Sequence, residues 1–201
     1  MTGEPLLEVE NLGIRLGPGG PLVVQDLSFA MQAGEILALV GESGSGKTLA
    51  ARAILDLLPP PLLRAGGRIR FQERELTQLT PQQMRRVRGA GIGMVFQEPM
   101  VSLNPSMTIG RQMAEGLKLH LRLSDQEIRR RCLAMLERIQ IADPAGCLKA
   151  YPHEFSGGMR QRIMLASVML LRPKLLIADE PTTALDTLVQ REVLELMVEL
   201  T

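Results

Sequence analysis

Eight consecutive residues, Gly41-Glu42-Ser43-Gly44-Ser45-Gly46-Lys47-Thr48, form a GxxxxGK[ST] string. Glycines at this spacing let a backbone wrap closely round phosphate oxygens and aim several N–H groups at them. A helix opening at the end of the string adds the positive end of its dipole. Lys47 supplies a fixed charge for the β- and γ-phosphates, and the Thr48 hydroxyl is a ligand for Mg²⁺. The glycine spacing is GxxGxG, which does not fit the dinucleotide fingerprint GxGxxG. The expected ligand is a nucleoside triphosphate with Mg²⁺.

A phosphate loop of this kind works with a further acid at the end of a neighbouring parallel strand. Asp179 and Glu180 stand in that position, directly after Leu175-Leu176-Ile177-Ala178. Asp179 is a candidate Mg²⁺ group acting through the metal's water shell. Glu180, one residue on, is a candidate general base for an attacking water, a task that suits a carboxylate of slightly raised pKa. Gln97 follows the apolar run 92–96 and fits a neutral sensor of Mg²⁺ and water, or simply an edge residue. Lys47, Glu180 and Gln97 are thus the catalytic candidates, and Thr48, Gln97 and Asp179 the metal candidates.

These residues need strands and helices to hold them. Ile36-Leu37-Ala38-Leu39-Val40 is a short apolar run, consistent with a buried parallel strand feeding the glycine-rich loop. The helix after the loop is expected over 48–58, stopped by Pro59-Pro60-Pro61. Upstream, Leu7, Val9, Leu12, Ile14 and Leu16 alternate in places with polar residues, and Gly17-Pro18-Gly19-Gly20-Pro21 punctuates them. A further extended stretch covers 26–31, and two more strands are expected over 68–71 and 92–96. Thr80-Pro81-Gln82-Gln83 and Ser124-Asp125-Gln126-Glu127 each read as a capping box. Ile128, Cys132, Met135, Leu136 and Ile139 share one helical face. The segment 98–171 is expected to be a mostly helical lobe. Val189, Val193, Leu196, Met197 and Leu200 lie at helical spacing in a last helix.

The bulk numbers narrow the class. The 201 residues suffice for one well-cored domain with an inserted lobe. A net charge of +1 and a single Tyr, four Phe and no Trp argue against a nucleic-acid surface. Residues 1–10 carry acids and no apolar core, so no signal peptide is expected. No apolar run reaches the roughly 18–20 residues needed to span a bilayer. Cys132 and Cys147 lack CxxC spacing and read as reduced thiols.

Phe155-Ser156-Gly157-Gly158-Met159-Arg160-Gln161-Arg162 resembles the signature motif of ATP-binding cassette (ABC) proteins. Ser156 and two glycines would open a helix whose first amides form a second anion site. Ala184-Leu185-Asp186 resembles the D-loop of the same family. The strings Phe96-Gln97-Glu98-Pro99-Met100-Val101-Ser102-Leu103-Asn104-Pro105 and Tyr151-Pro152-His153-Glu154 look like the ATPase subunits of dipeptide and oligopeptide importers. Related members of that group import nickel, glutathione or peptide-like antibiotics.

The resemblance implies an α/β P-loop NTPase with a largely parallel core sheet, an N-terminal antiparallel β subdomain and an inserted helical subdomain. It implies ATP and Mg²⁺ bound between two cassettes packed head to tail, as a homo- or heterodimer. Gly41 to Thr48 and Leu16 would come from one copy, and Ser156, Gly157, Gly158, Met159 and Asp186 would complete the site from the other. Further partners would be two membrane permease subunits and, indirectly, a solute-binding protein, at the cytoplasmic face of the membrane. Pro99, Met100 and Leu103 would then either face a permease helix or pack internally. The alternatives are a non-transport ABC ATPase and a chain that binds nucleotide without hydrolysing it.

Two departures from the family stand out. Leu16 occupies the position of an aromatic that stacks on adenine, so about 0.5–1.5 kcal/mol of stacking is lost there. The family's switch histidine follows a strand beyond the D-loop, whereas His120 and His153 both precede Asp179. On the family's pattern the chain is therefore expected to be incomplete at its C-terminus.

Overall fold

A computed structural model of the chain describes residues 4–96, 103–181, 191, 195, 197 and 198. It divides into two units, Met1–Arg88 and Gly89–Thr201.

In the first unit, β1 (Leu7–Leu16), β2 (Leu22–Met31), β3 (Leu62–Phe71) and β4 (Arg74–Glu75) make an antiparallel sheet in the order β2-β1-β3-β4. The apolar alternation along β1 changes phase: Leu7 and Val9 are buried, then Leu12 and Ile14. A bulge lies between them. Pairing with β2 moves from Val9↔Phe29 to Leu12↔Leu27, and Asn11 sits at φ 49°. One extra residue on β1 swaps the faces, so both apolar sets reach the same core.

Helix α1 (Lys47–Ile54) is four residues shorter than the prolines alone predict. Asp56 takes a left-handed φ of 53°, its N–H donates to Ala53 O, and the Leu57 N–H donates to Arg52 O. This pair of bonds is a Schellman close, which ends the helix before Pro59 is reached. Arg88 reinforces it by donating to Leu55 O at 2.8 Å and Asp56 O at 2.9 Å. Arg88 itself follows α2 (Pro81–Val87), whose capping box between Thr80 and Gln83 forms as expected.

The run 36–40 departs from its expectation. It is irregular, none of the described ladders includes it, and Ile36 and Val40 are 87% and 93% exposed. Apolar composition supplies a reason to be buried, but a strand exists only through a neighbour that accepts its hydrogen bonds.

In the second unit, β5 (Ile92–Val95) and β6 (Leu175–Ala178) pair in parallel, with Ile92 opposite Leu175 and Val95 opposite Ala178. Between them run α3 (Ile109–His120), α4 (Asp125–Arg138), the single turn α5 (Pro144–Cys147) and α6 (Gly157–Met169). Ile109, Met113 and Leu117 of α3 and Ile128, Cys132 and Leu136 of α4 follow strict i, i+4 spacing and share one core with Ile163, Ala166 and Leu170. Helix α6 is buried on a second side as well, through Met164, Leu165 and Met169 packed with Val95. Leu103 joins the helical core, so of its two readings internal packing holds. Pro99 and Met100 lie outside the described residues, as do Val189, Val193, Leu196 and Leu200.

Ser124 caps α4 through the Glu127 N–H, but the reciprocal half of that box does not form. The Glu127 carboxylate is taken instead by Arg130 and Arg131 at 2.8 Å, which holds its pKa down to about 2. Two guanidiniums one turn away outbid a backbone amide for the same oxygens.

Candidate nucleotide site

The phosphate loop leads into α1 through Gly46, whose φ of 95° is open to glycine far more readily than to other residues. A Cβ on Gly46 would stand 2.6 Å from Val24 Cγ2, so the loop is seated against β2. The turn is closed by the Ser45 N–H donating to Glu42 O and by Lys47 Nζ donating to Gly41 O (2.8 Å) and Glu42 O (2.9 Å). An ammonium has three N–H donors, so Lys47 braces the loop with two and keeps a third. No side chain caps α1 and no acid lies in its first turn. The positive end of this helix is therefore not neutralised by the chain itself, the arrangement that suits a phosphate.

Beside the loop, the end of the sheet presents an apolar edge. Leu16 is 47% exposed and Val23 38% exposed, and Val24, next to Val23, is the residue that touches Gly46. Val23 was not apparent from the sequence. Its role follows from the register that sets Val24 opposite Ile14, two residues from Leu16.

In the second unit the parallel register brings the C-terminal ends of β5 and β6 to the same edge. The Asp179 N–H donates to Val95 O at 2.9 Å, extending the ladder by one residue. Asp179 is only 6% exposed, a depth at which a carboxylate needs charged or hydrogen-bonding company. Glu180 is half-buried with φ 46°, a left-handed conformation that swings it off the strand direction. Non-glycine residues adopt this conformation sparingly, and it clusters at functional sites. Gln97 and Asp186 lie outside the described residues.

Ser156 is the N-cap of α6, its Oγ accepting from the Met159 N–H at 3.4 Å, with Ser156 and Gly157 exposed at the helix mouth. Arg160 is a functional residue that the motif contained without revealing its task. Its guanidinium donates to Phe155 O at 2.9 Å and His153 O at 3.3 Å, fixing the segment that leads into the helix. Among the described residues no three His, Cys, Asp or Glu side chains converge as a metal cluster. The available donors, the Thr48 hydroxyl and the Asp179 carboxylate, suit a cation such as Mg²⁺ that takes few protein ligands and keeps water and phosphate oxygens as the rest.

A glycine-rich loop opening an uncapped helix with Lys-Thr defines a P-loop nucleotide-binding protein, and a Ser-Gly-Gly helix start with an acid pair after a parallel strand narrows the class. The ABC transporter family matches residues 24–183, and the chain belongs to that family. It is 46% identical over 200 residues to the dipeptide transport ATP-binding protein DppD of Bacillus subtilis, covering 98% of this chain and 60% of that protein. It is 50% identical over 200 residues to the peptidoglycan transport ATP-binding protein YejF of Agrobacterium fabrum, covering 98% of this chain but 37% of the relative. The chain thus spans less than two thirds of these relatives. Among solved structures, the ATP-binding cassette MJ0796, in a dimeric post-hydrolysis state bound to ADP and Pi, shares the fold with a TM-score of 0.82 at 24% identity. That match covers 96% of this chain and 82% of MJ0796. The cbiO1 protein of Clostridium perfringens, part of the transporter complex cbiONQ, matches with a TM-score of 0.79 at 27% identity, covering 98% of this chain and 74% of cbiO1.

Proposed function

We propose that this protein is the ATP-binding and ATP-hydrolysing subunit of an importer of peptides or related small solutes. The observation that carries the nucleotide chemistry is the uncapped N-terminus of α1, with Gly46 pressed on Val24 and Lys47 spanning the loop mouth. The transport assignment rests on 46–50% identity with relatives named for dipeptide and peptidoglycan transport.

In this reading the amides of 41–48 and Lys47 hold the β- and γ-phosphates, and Leu16 and Val23 contact the base. Thr48, Gln97 and Asp179 would hold Mg²⁺, which supplies charge neutralisation at the β- and γ-phosphates. Glu180 accepts the proton of the attacking water. Ser156, Gly157, Gly158, Met159 and Asp186 of a second ABC ATPase subunit close over the γ-phosphate, so ATP joins the two copies and hydrolysis releases them. Two permease subunits, contacted from the cytoplasmic face, turn that closure into movement of the solute. No described helix is long and apolar enough to cross a membrane, which fits a subunit that works through such partners.

Glu180→Gln tests the assignment of the base. It should lower phosphate release about 10²- to 10⁴-fold while ATP is still bound, and should accumulate an ATP-bound dimer. Turnover equal to the unmodified protein would remove Glu180 from the mechanism. Co-purification with ribosomes or DNA instead of membrane subunits would replace transport by a soluble role.

A further inference from the structure

The molecule holds a single tyrosine and no tryptophan, and that tyrosine is exposed. Tyr151 is 40% accessible, while Phe29, Phe71, Phe96 and Phe155 are buried or half-buried. Its ring stacks on His153 with centroids 5.8 Å apart and planes inclined by 16°. The pair borders an open hollow of about 420 Å³ lined also by Gly146, Lys149, Ala150 and Glu154. Nothing about folding needs an aromatic here, because the core beneath is made of aliphatic side chains and methionine.

The pair is also held rigidly. The Glu154 carboxylate accepts from the Tyr151 N–H, closing the turn Pro152–Glu154. Arg160, one turn into α6, grips the carbonyls of His153 and Phe155. Tyr151 and His153 are therefore fixed relative to Ser156 and the mouth of α6. A flat, pre-positioned, half-exposed aromatic of this kind is the sort of residue that contributes most where a partner surface or ring covers it.

The apolar edge beside the phosphate loop has the opposite property. Leu16 and Val23 can cover one face of a base, but neither offers a ring. We propose that the nucleobase of ATP is clamped between two copies of this chain. Leu16 and Val23 of the copy whose Lys47 holds the phosphates cover one face, and Tyr151, backed by His153, of the second copy covers the other. This rests on the reading that Ser156 of one copy faces the γ-phosphate bound to another. With the phosphate at the α6 mouth, the chain just upstream of Ser156 is the part of the second copy that runs alongside the rest of the nucleotide. Base recognition then becomes a property of the dimer, and the aromatic missing at position 16 is supplied from across the interface.

The experiment measures ATP-driven dimerisation by sedimentation in a Glu180→Gln background, comparing ATP with tripolyphosphate, which has the phosphates and no base. Tyr151→Ala should raise the ATP concentration for half-maximal dimer about three- to tenfold, the equivalent of one lost stacking contact. Tyr151→Phe should keep the parent's value, and tripolyphosphate should show no difference among the three proteins. Dimerisation of Tyr151→Ala at the parent's ATP concentration, or equal weakening with ATP and tripolyphosphate, would overturn the clamp. So would a parent that binds ATP by calorimetry yet stays monomeric. A parent that binds neither ligand would instead sink the functional reading beneath it. Matching circular dichroism of the variants ties any loss to Tyr151 rather than to folding.

Discussion

Gly46 does two jobs that no other residue can share. Its φ of 95° turns the chain into α1, and the space its missing side chain leaves is filled by Val24 Cγ2. Gly46→Ala therefore meets both a strained backbone and a contact of 2.6 Å against a strand, and the first cannot be relieved by moving Val24. The expected outcome is a loss of ATP affinity of about tenfold or more with the β-sheet intact, measured by calorimetry beside circular dichroism. Adding Val24→Ala should recover only part of it. Full recovery would mean that space, not backbone conformation, is what Gly46 supplies. Glu180 is the comparable case in the second unit: a left-handed glutamate directly after a buried aspartate is local strain that the surrounding fold must hold. The residue types at both places were legible from spacing alone. The contact with Val24 was not, because it depends on the register of a strand more than twenty residues away.

At the scale of elements, periodicity told most where an element has one buried face. The i, i+4 series of α3 and α4 named their own core residues, and Cys132 proved to be one of them. Cys132 and Cys147 are both buried, and burial pushes each thiol up to about 11 from an ordinary 9.0, with the Asp143 carboxylate adding to the effect at Cys147. An acid whose pKa rises on folding stabilises the native state below its unfolded pKa. That contribution fades as pH climbs from about 9 to about 11, so alkaline unfolding should begin in the helical unit. At pH 8 both thiols should react with a disulfide reagent at least about a hundredfold more slowly in the native protein than in denaturant. Cys132→Ala and Cys147→Ala report on each separately, and a native rate equal to the denatured one would disprove the packing around that thiol. Periodicity told least where a local charge or turn intervened. Glu127 left its capping box for Arg130 and Arg131, and Asp56 ended α1 ahead of the prolines. In both cases the competing partner was within a few residues, yet nothing in the apolar pattern weighs a guanidinium against an amide.

Taken as a whole, the molecule carries its phosphate loop in one unit and its acid pair and signature helix in the other. The functional class could be read from the ordered motifs because each is a short, self-contained string. The antiparallel sheet, the helical core and the parallel pairing of β5 with β6 followed from the same reasoning. The strand expected over 36–40 did not, since the partner that makes a strand is a property of the assembled sheet and not of the five residues.

That segment has a consequence for handling the protein. Between Glu35 and Gly41 there is no charge, proline or glycine, only Ile36-Leu37-Ala38-Leu39-Val40. An accessible apolar stretch with high β content and no gatekeeper is a template on which like segments of other molecules can add. The isolated chain should lose solubility with rising concentration through thioflavin-positive aggregates seeded there. Ile36→Lys with Val40→Lys, at the two most exposed positions, should delay their appearance several-fold at equal concentration. An unchanged lag would move the seed elsewhere in the chain.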